Sequence, residues 1–109
     1  MTNQESKPKA TMEQNYQSWK IVIIEDDEGL GKLIQVTLQR EGFSTVLVET
    51  GEDALSAVQG DSNEILLVDY KLPDMTGKEL VQQLTKKYAA TPHFITLTGY
   101  GNENVAAEM

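Results

Sequence analysis

Short apolar runs recur along the chain, with helix-length stretches between some of them. Ile21-Val22-Ile23-Ile24 is continuous and β-branched, so residues 20–24 are predicted to form a buried strand. Ser44 to Val48, Ile65 to Val68 and Phe94 to Leu97 are predicted as the next three strands. After the first run, Leu30, Leu33, Ile34 and Leu38 repeat at helical spacing, and the stripe is assigned to the core. Gly42 stands where the glycine just past a helix end is expected. Thr50 and Asp53 have the spacing of an N-terminal cap for a helix carrying Ala54, Leu55 and Val58. Gly60-Asp61-Ser62-Asn63 is a turn cluster. Lys78 to Tyr88 is predicted as a helix with Leu80, Val81 and Leu84 inward, and Pro92 punctuates before the fourth strand. Asn102 to Met109 begins a further helix.

A β-α-β-α-β-α-β-α alternation implies a doubly wound α/β fold, a parallel sheet with helices on both faces. In the flavodoxin-like strand order 2-1-3-4-5, the fifth strand and the last helix would be missing from this chain. Strand four would then expose a pairing edge. The expectation is therefore a fragment, or a partner chain that completes the sheet.

Composition narrows the function classes. The 109 residues suit one domain, and 39% apolar content is adequate for a small core. A net charge of −8 opposes direct nucleic-acid binding by this segment and opposes an anionic membrane surface. The chain has no transmembrane-length apolar run and no signal-peptide core at its start. With no cysteine, disulfides, thiolate catalysis and zinc–thiolate sites are excluded, and a reducing cytoplasm is compatible. Residues 1–19 read as a polar, flexible leader in which Lys7 and Lys9 balance Glu5 and Glu13, so residues 20–109 carry the whole charge.

The candidate chemistry lies where the strands end. Glu25 and Asp26 follow the first run, Asp69 follows the third and Thr98 follows the fourth. In an open parallel sheet the carboxyl ends lie together, and ligands bind along that edge. Three acids in one crevice repel one another unless a cation neutralises them. Hard oxygen ligands suit Mg²⁺, with the backbone carbonyl of Lys71 placed by the turn after strand three to contribute. Asp69 would be a carboxylate nucleophile for a phosphoryl group, and Thr98 a hydrogen-bond donor to it. Taken separately these residues have plainer readings. Glu25-Asp26-Asp27-Glu28 also fits an acidic helix start, and Pro73 and Gly77 also fit turn punctuation. His93, at the opposite end of its strand, reads as structural.

Residues 20–109 resemble the receiver domain of two-component response regulators. The resemblance rests on Ile21-Val22-Ile23-Ile24-Glu25-Asp26-Asp27, on Asp69-Tyr70-Lys71-Leu72-Pro73-Asp74-Met75-Thr76-Gly77 and on Ile95-Thr96-Leu97-Thr98-Gly99. It implies that Asp69 accepts a phosphoryl group from a sensor histidine kinase or phosphotransfer protein. Glu25, Asp26, Asp69 and the Lys71 carbonyl would form the Mg²⁺ site, with Glu25 acting mostly through water and Asp27 outside the ligand set. Thr98 would be the switch hydroxyl, and a partner or an attached output domain would read the conformational change. A homodimer is left open. The family's lysine and aromatic switch residue on strand five would fall beyond Met109, so a literal 109-residue chain is expected to phosphorylate poorly. Lys71 and Tyr100, two residues after Asp69 and Thr98, are expected to shield an acyl phosphate from water. Two rivals remain. One is a Mg²⁺-dependent phosphohydrolase with an aspartyl nucleophile, opposed by Lys71 where such enzymes place a second aspartate. The other is a receiver-shaped adaptor that is never phosphorylated.

Overall fold

The computed structural model describes residues 19–97. Its elements in chain order are β1 (Lys20–Ile24), α1 (Glu28–Arg40), β2 (Ser44–Val48), α2 (Gly51–Ala57), β3 (Glu64–Asp69), α3 (Gly77–Tyr88) and β4 (His93–Leu97). The strands form one sheet in the order β2-β1-β3-β4, and every pairing is parallel. This is the first part of the flavodoxin-like order read from the sequence. The helix expected over 102–109 lies outside the described residues, as do residues 1–18 of the leader.

The register explains the core. Val22 pairs with Leu66 and Ile24 with Val68, so with a side-chain period of two these residues share one face. That face meets Ala54 and Val58 from the α2 region and Leu80 and Leu84 from α3, with Leu72 closing the cluster. Each large side chain buried this way removes apolar surface worth roughly 2 kcal/mol. Val58 belongs to this core but not to the helix, because it is the extended residue that ends α2.

The other face carries Ile21 and Ile23, both buried, beneath α1. Helix and sheet meet closely at Gly31, where a Cβ would lie 2.9 Å from a Leu47 methyl. Here one expectation is corrected. Leu30 and Leu33 do not belong to the core, since both are exposed, Leu33 at 63%. The apolar stripe of α1 is wider than the contact it makes over β1 and β2. Ile34 and Leu38, four residues apart, are its half-buried part. On the same side of the sheet Ile95 of β4 is 57% exposed.

The helix ends are chemically specified. Asp27 caps α1 by accepting the Leu30 N–H at 3.0 Å. Gly42, at φ 97°, lets the Gly42 and Phe43 N–H groups donate back to the Gln39 and Leu38 carbonyls, closing α1 as a Schellman motif. Thr50 caps α2 through the Asp53 N–H, as its spacing predicts. A full capping box at α3 joins Thr76 and Glu79, each side chain accepting the other residue's N–H.

Candidate metal centre at the carboxyl edge

β1 and β3 are neighbours with Ile24 level with Val68. The residues that follow those two positions, Glu25 just past β1 and Asp69 at the last position of β3, therefore lie at the same edge. Glu25, Asp26 and Asp69 each offer a carboxylate oxygen there, and the three oxygens lie within 4.8 Å of one another. Glu25 is 4% exposed, Asp69 half-buried and Asp26 exposed. The cluster is thus anchored from inside and open to solvent on one side.

Local hydrogen bonds set the shape. Glu25 Oε2 accepts the Asp27 N–H at 2.9 Å, and the Glu25 N–H donates to the Val48 carbonyl at 3.0 Å. Asp27 itself is committed to capping α1, in line with its expected place outside the ligand set. Gly77 is required by close approach. A Cβ there would sit 2.7 Å from the Asp69 carbonyl oxygen and 2.8 Å from Val68 Cγ1. The glycine eight residues after Asp69 is therefore what lets α3 start against the end of β3.

The electrostatics favour a cation. Burial pushes the Glu25 carboxyl above the ordinary glutamate range; the Asp27 N–H partly offsets this, and the charges of Asp69 and Asp26 add to it. Burial likewise raises Asp69; the Lys71 N–H opposes the shift and the charge of Asp26 reinforces it. A divalent cation would remove the repulsion that the three acids exert on one another. The donor set is all oxygen, which fits Mg²⁺ rather than a thiophilic metal.

Of the residues expected at the site, Glu25, Asp26 and Asp69 come together. Lys71 sits in the turn directly after β3, bridged to Thr76. Thr98 and Tyr100 lie outside the described residues. His93 starts β4, at the far edge, with its ring 5.7 Å from that of Trp19. Two residues with defined roles were not picked out by sequence reasoning. Asp74 accepts the Gly51 and Glu52 N–H groups at 2.9 Å each. Glu64, 3% exposed, is held by Lys20 and by three backbone N–H groups. Among the described residues no helix is long and apolar enough to cross a membrane.

A four-stranded parallel sheet of this order with acids gathered at its carboxyl edge is what the receiver resemblance implies, and comparison with known proteins shows the family. Residues 21–109 match the response regulator receiver domain, and the chain belongs to that family. It is 32% identical over 72 residues to the uncharacterized transcriptional regulatory protein YkoG of Bacillus subtilis, covering 66% of this chain and 32% of that protein. It is 29% identical over 73 residues to the alkaline phosphatase synthesis transcriptional regulatory protein PhoP of the same organism, covering 67% of this chain and 30% of that protein. The chain thus matches about a third of the length of these relatives. Among solved structures, the CheY-like receiver domain from Methylobacillus flagellatus superposes with a TM-score of 0.67 at 29% identity, covering 83% of this chain and 79% of that one.

Proposed function

We propose that this chain is a phosphoacceptor in two-component signalling, with Asp69 as the acceptor. Glu25, Asp26, Asp69 and the Lys71 backbone carbonyl would hold Mg²⁺. When bound, the ion supplies positive charge against the carboxylates and the incoming phosphoryl oxygens. Asp69 is the nucleophile: one carboxylate oxygen forms a bond to phosphorus as the N–P bond of a phosphohistidine breaks. The departing imidazole keeps its electron pair and takes a proton from solvent. The donor is a sensor histidine kinase or a phosphotransfer protein, and the setting is the cytoplasm.

The observation that carries this reading is the convergence of three acidic oxygens within 4.8 Å at the edge where β1 and β3 end. Burial, with the charges of Asp69 and Asp26 beside it, raises the proton affinity of Glu25, and burial with the charge of Asp26 raises that of Asp69, an arrangement suited to a cation-dependent reaction. Thr98 is assigned as the switch hydroxyl, and Lys71 and Tyr100 as shields of the acyl phosphate. The domain runs over 20–109 behind a leader of 1–19. The output is a population shift read by an attached or separate output domain.

The test is phosphorylation by acetyl phosphate in the presence of Mg²⁺, followed by intact mass and peptide mapping. One phosphoryl group on Asp69, at low occupancy in the 109-residue chain and lost with EDTA and in Asp69→Asn, is the expected result. Labelling that ignores EDTA, or that persists in Asp69→Asn, contradicts the assignment. Shorter acyl-phosphate lifetimes are expected in Lys71→Ala and Tyr100→Ala, and unchanged lifetimes remove the shielding role.

A further inference from the structure

The turn between β3 and α3 is closed on itself. The Leu72 N–H donates to the Met75 carbonyl at 3.0 Å, the Gly77 N–H donates to the Tyr70 carbonyl at 2.6 Å, and Lys71 bridges Thr76 in antiparallel fashion. Closed in this way, residues 70–77 are expected to move largely as one piece. The piece is fastened to the rest of the molecule at two ends. At one, Gly77 packs against the Asp69 carbonyl. At the other, Asp74 reaches to the start of α2, with Oδ1 accepting the Gly51 N–H and Oδ2 the Glu52 N–H, both at 2.9 Å. These are two of the donors that a helix start leaves without an internal partner. The Asp53 N–H is already taken by Thr50. The Met75 side chain covers Gly51 so closely that a Cβ there would overlap it.

We infer that Asp74 is a positioning residue for the metal centre, tying to α2 the turn whose Lys71 carbonyl is assigned to Mg²⁺. This rests on the proposed function and goes beyond it. Asp74 touches neither the ion nor the phosphoryl group. It acts by holding Lys71 in register with Asp69, so that the carbonyl need not be ordered when the ion arrives. Gly51 and Met75 are the packing half of the same fastening.

The experiment is a Mg²⁺ titration of the 109-residue chain, read by amide NMR shifts on the folded species. Asp74→Ala should raise the Mg²⁺ Kd on the order of 10-fold, as loss of an orienting partner does at metal sites. Asp74→Asn keeps one acceptor and should fall between. Glu52→Gln removes a neighbouring exposed charge without touching either bond, and should leave Kd within about 2-fold of wild type. Gly51→Ala should weaken Mg²⁺ with all charges intact, because its Cβ displaces the Met75 side chain packed there, and unchanged binding would reject the packing half of the fastening. A variant that merely loosened the fold would lower Tm without changing the Kd of the folded form. If wild type binds Mg²⁺ and Asp74→Ala binds it equally well, the positioning role is wrong while the proposed function stands. Equal weakening in Asp74→Asn, Asp74→Ala and Glu52→Gln would show a charge effect and also reject the positioning role. If wild type binds no Mg²⁺, the proposed function falls and the positioning role with it.

Discussion

Two glutamates at opposite ends of the sheet are equally hidden from water and oppositely treated. Glu64, at the amino end of β3, is 3% exposed, and Glu25, just past the carboxyl end of β1, is 4% exposed. Glu64 accepts N–H groups from Gln59, Gly60 and Asp61 and pairs with Lys20 Nζ at 3.0 Å. Its burial alone would raise its pKa, yet the Gln59 N–H, Lys20 and the Asp61 N–H together hold it below the ordinary range. Glu25 receives the Asp27 N–H and otherwise faces other acids, and its pKa is raised. Burial of a carboxylate therefore does not mark a site. A buried carboxylate whose charge the protein leaves uncompensated does, because something from outside must compensate it.

The largest expected effect breaks the compensated end. Glu64→Ala leaves three backbone donors without their shared acceptor and strips Lys20 of its carboxylate, leaving that ammonium the Ala57 carbonyl and Gln59 Oε1. It should cost about 3 kcal/mol in chemical denaturation. A loss under 0.5 kcal/mol would show that turn 59–61 and Lys20 find water as readily. The next effect strengthens the other end. Mg²⁺ at ten times its Kd should stabilise the chain by about 1.4 kcal/mol, and EDTA should reverse this. Absence of any shift in Tm at that concentration would contradict binding to the folded form.

A smaller effect sharpens the contrast without metal. Glu25→Gln removes one of the mutually repelling charges, so in EDTA it should stabilise the fold by about 1 kcal/mol, a familiar consequence of relaxing a functional site. Destabilisation would mean that the Asp27 N–H bond matters more than the repulsion.

The smallest effect is in pH dependence, and the signs are fixed by the directions of the shifts. The lowered pKa of Glu64 gives stability that is complete above the ordinary glutamate range and is lost as pH falls through the folded-state value. The raised pKa of Glu25 gives a penalty that is complete above its folded-state value and vanishes as pH falls to the ordinary range. The deficit of Glu64→Gln and the advantage of Glu25→Gln should therefore both shrink on acidification, the second at higher pH. Thermal melts in EDTA across the carboxylate range would show it, and the reverse order would contradict the assignments.

Much of this was legible in the sequence because strands and their ends announce themselves locally. The runs at 20–24 and 44–48 match the observed strands, and those at 65–68 and 94–97 extend by one residue or so at their ends. Once those strands are parallel, Glu25, Asp26 and Asp69 must share an edge. What was not legible depends on partners distant in sequence or on backbone atoms. Glu64 looks like a polar strand start, since its partners are N–H groups of a turn. Asp74 looks like part of a loop motif, since its partners lie at Gly51 and Glu52. The α3 capping box did have a local signal, Thr76-x-x-Glu79. Leu33 was misassigned because periodicity reports which residues share a helix face, not how much of that face a neighbour covers.

The most direct test of the uncompensated cluster is calorimetric titration of Mg²⁺ into wild type, Asp26→Ala, Asp69→Ala and Glu64→Gln at neutral pH. Wild type and folded Glu64→Gln should bind one ion with similar affinity, while Asp26→Ala and Asp69→Ala should show no saturable heat. Binding that survives loss of Asp26 and Asp69 would contradict the account.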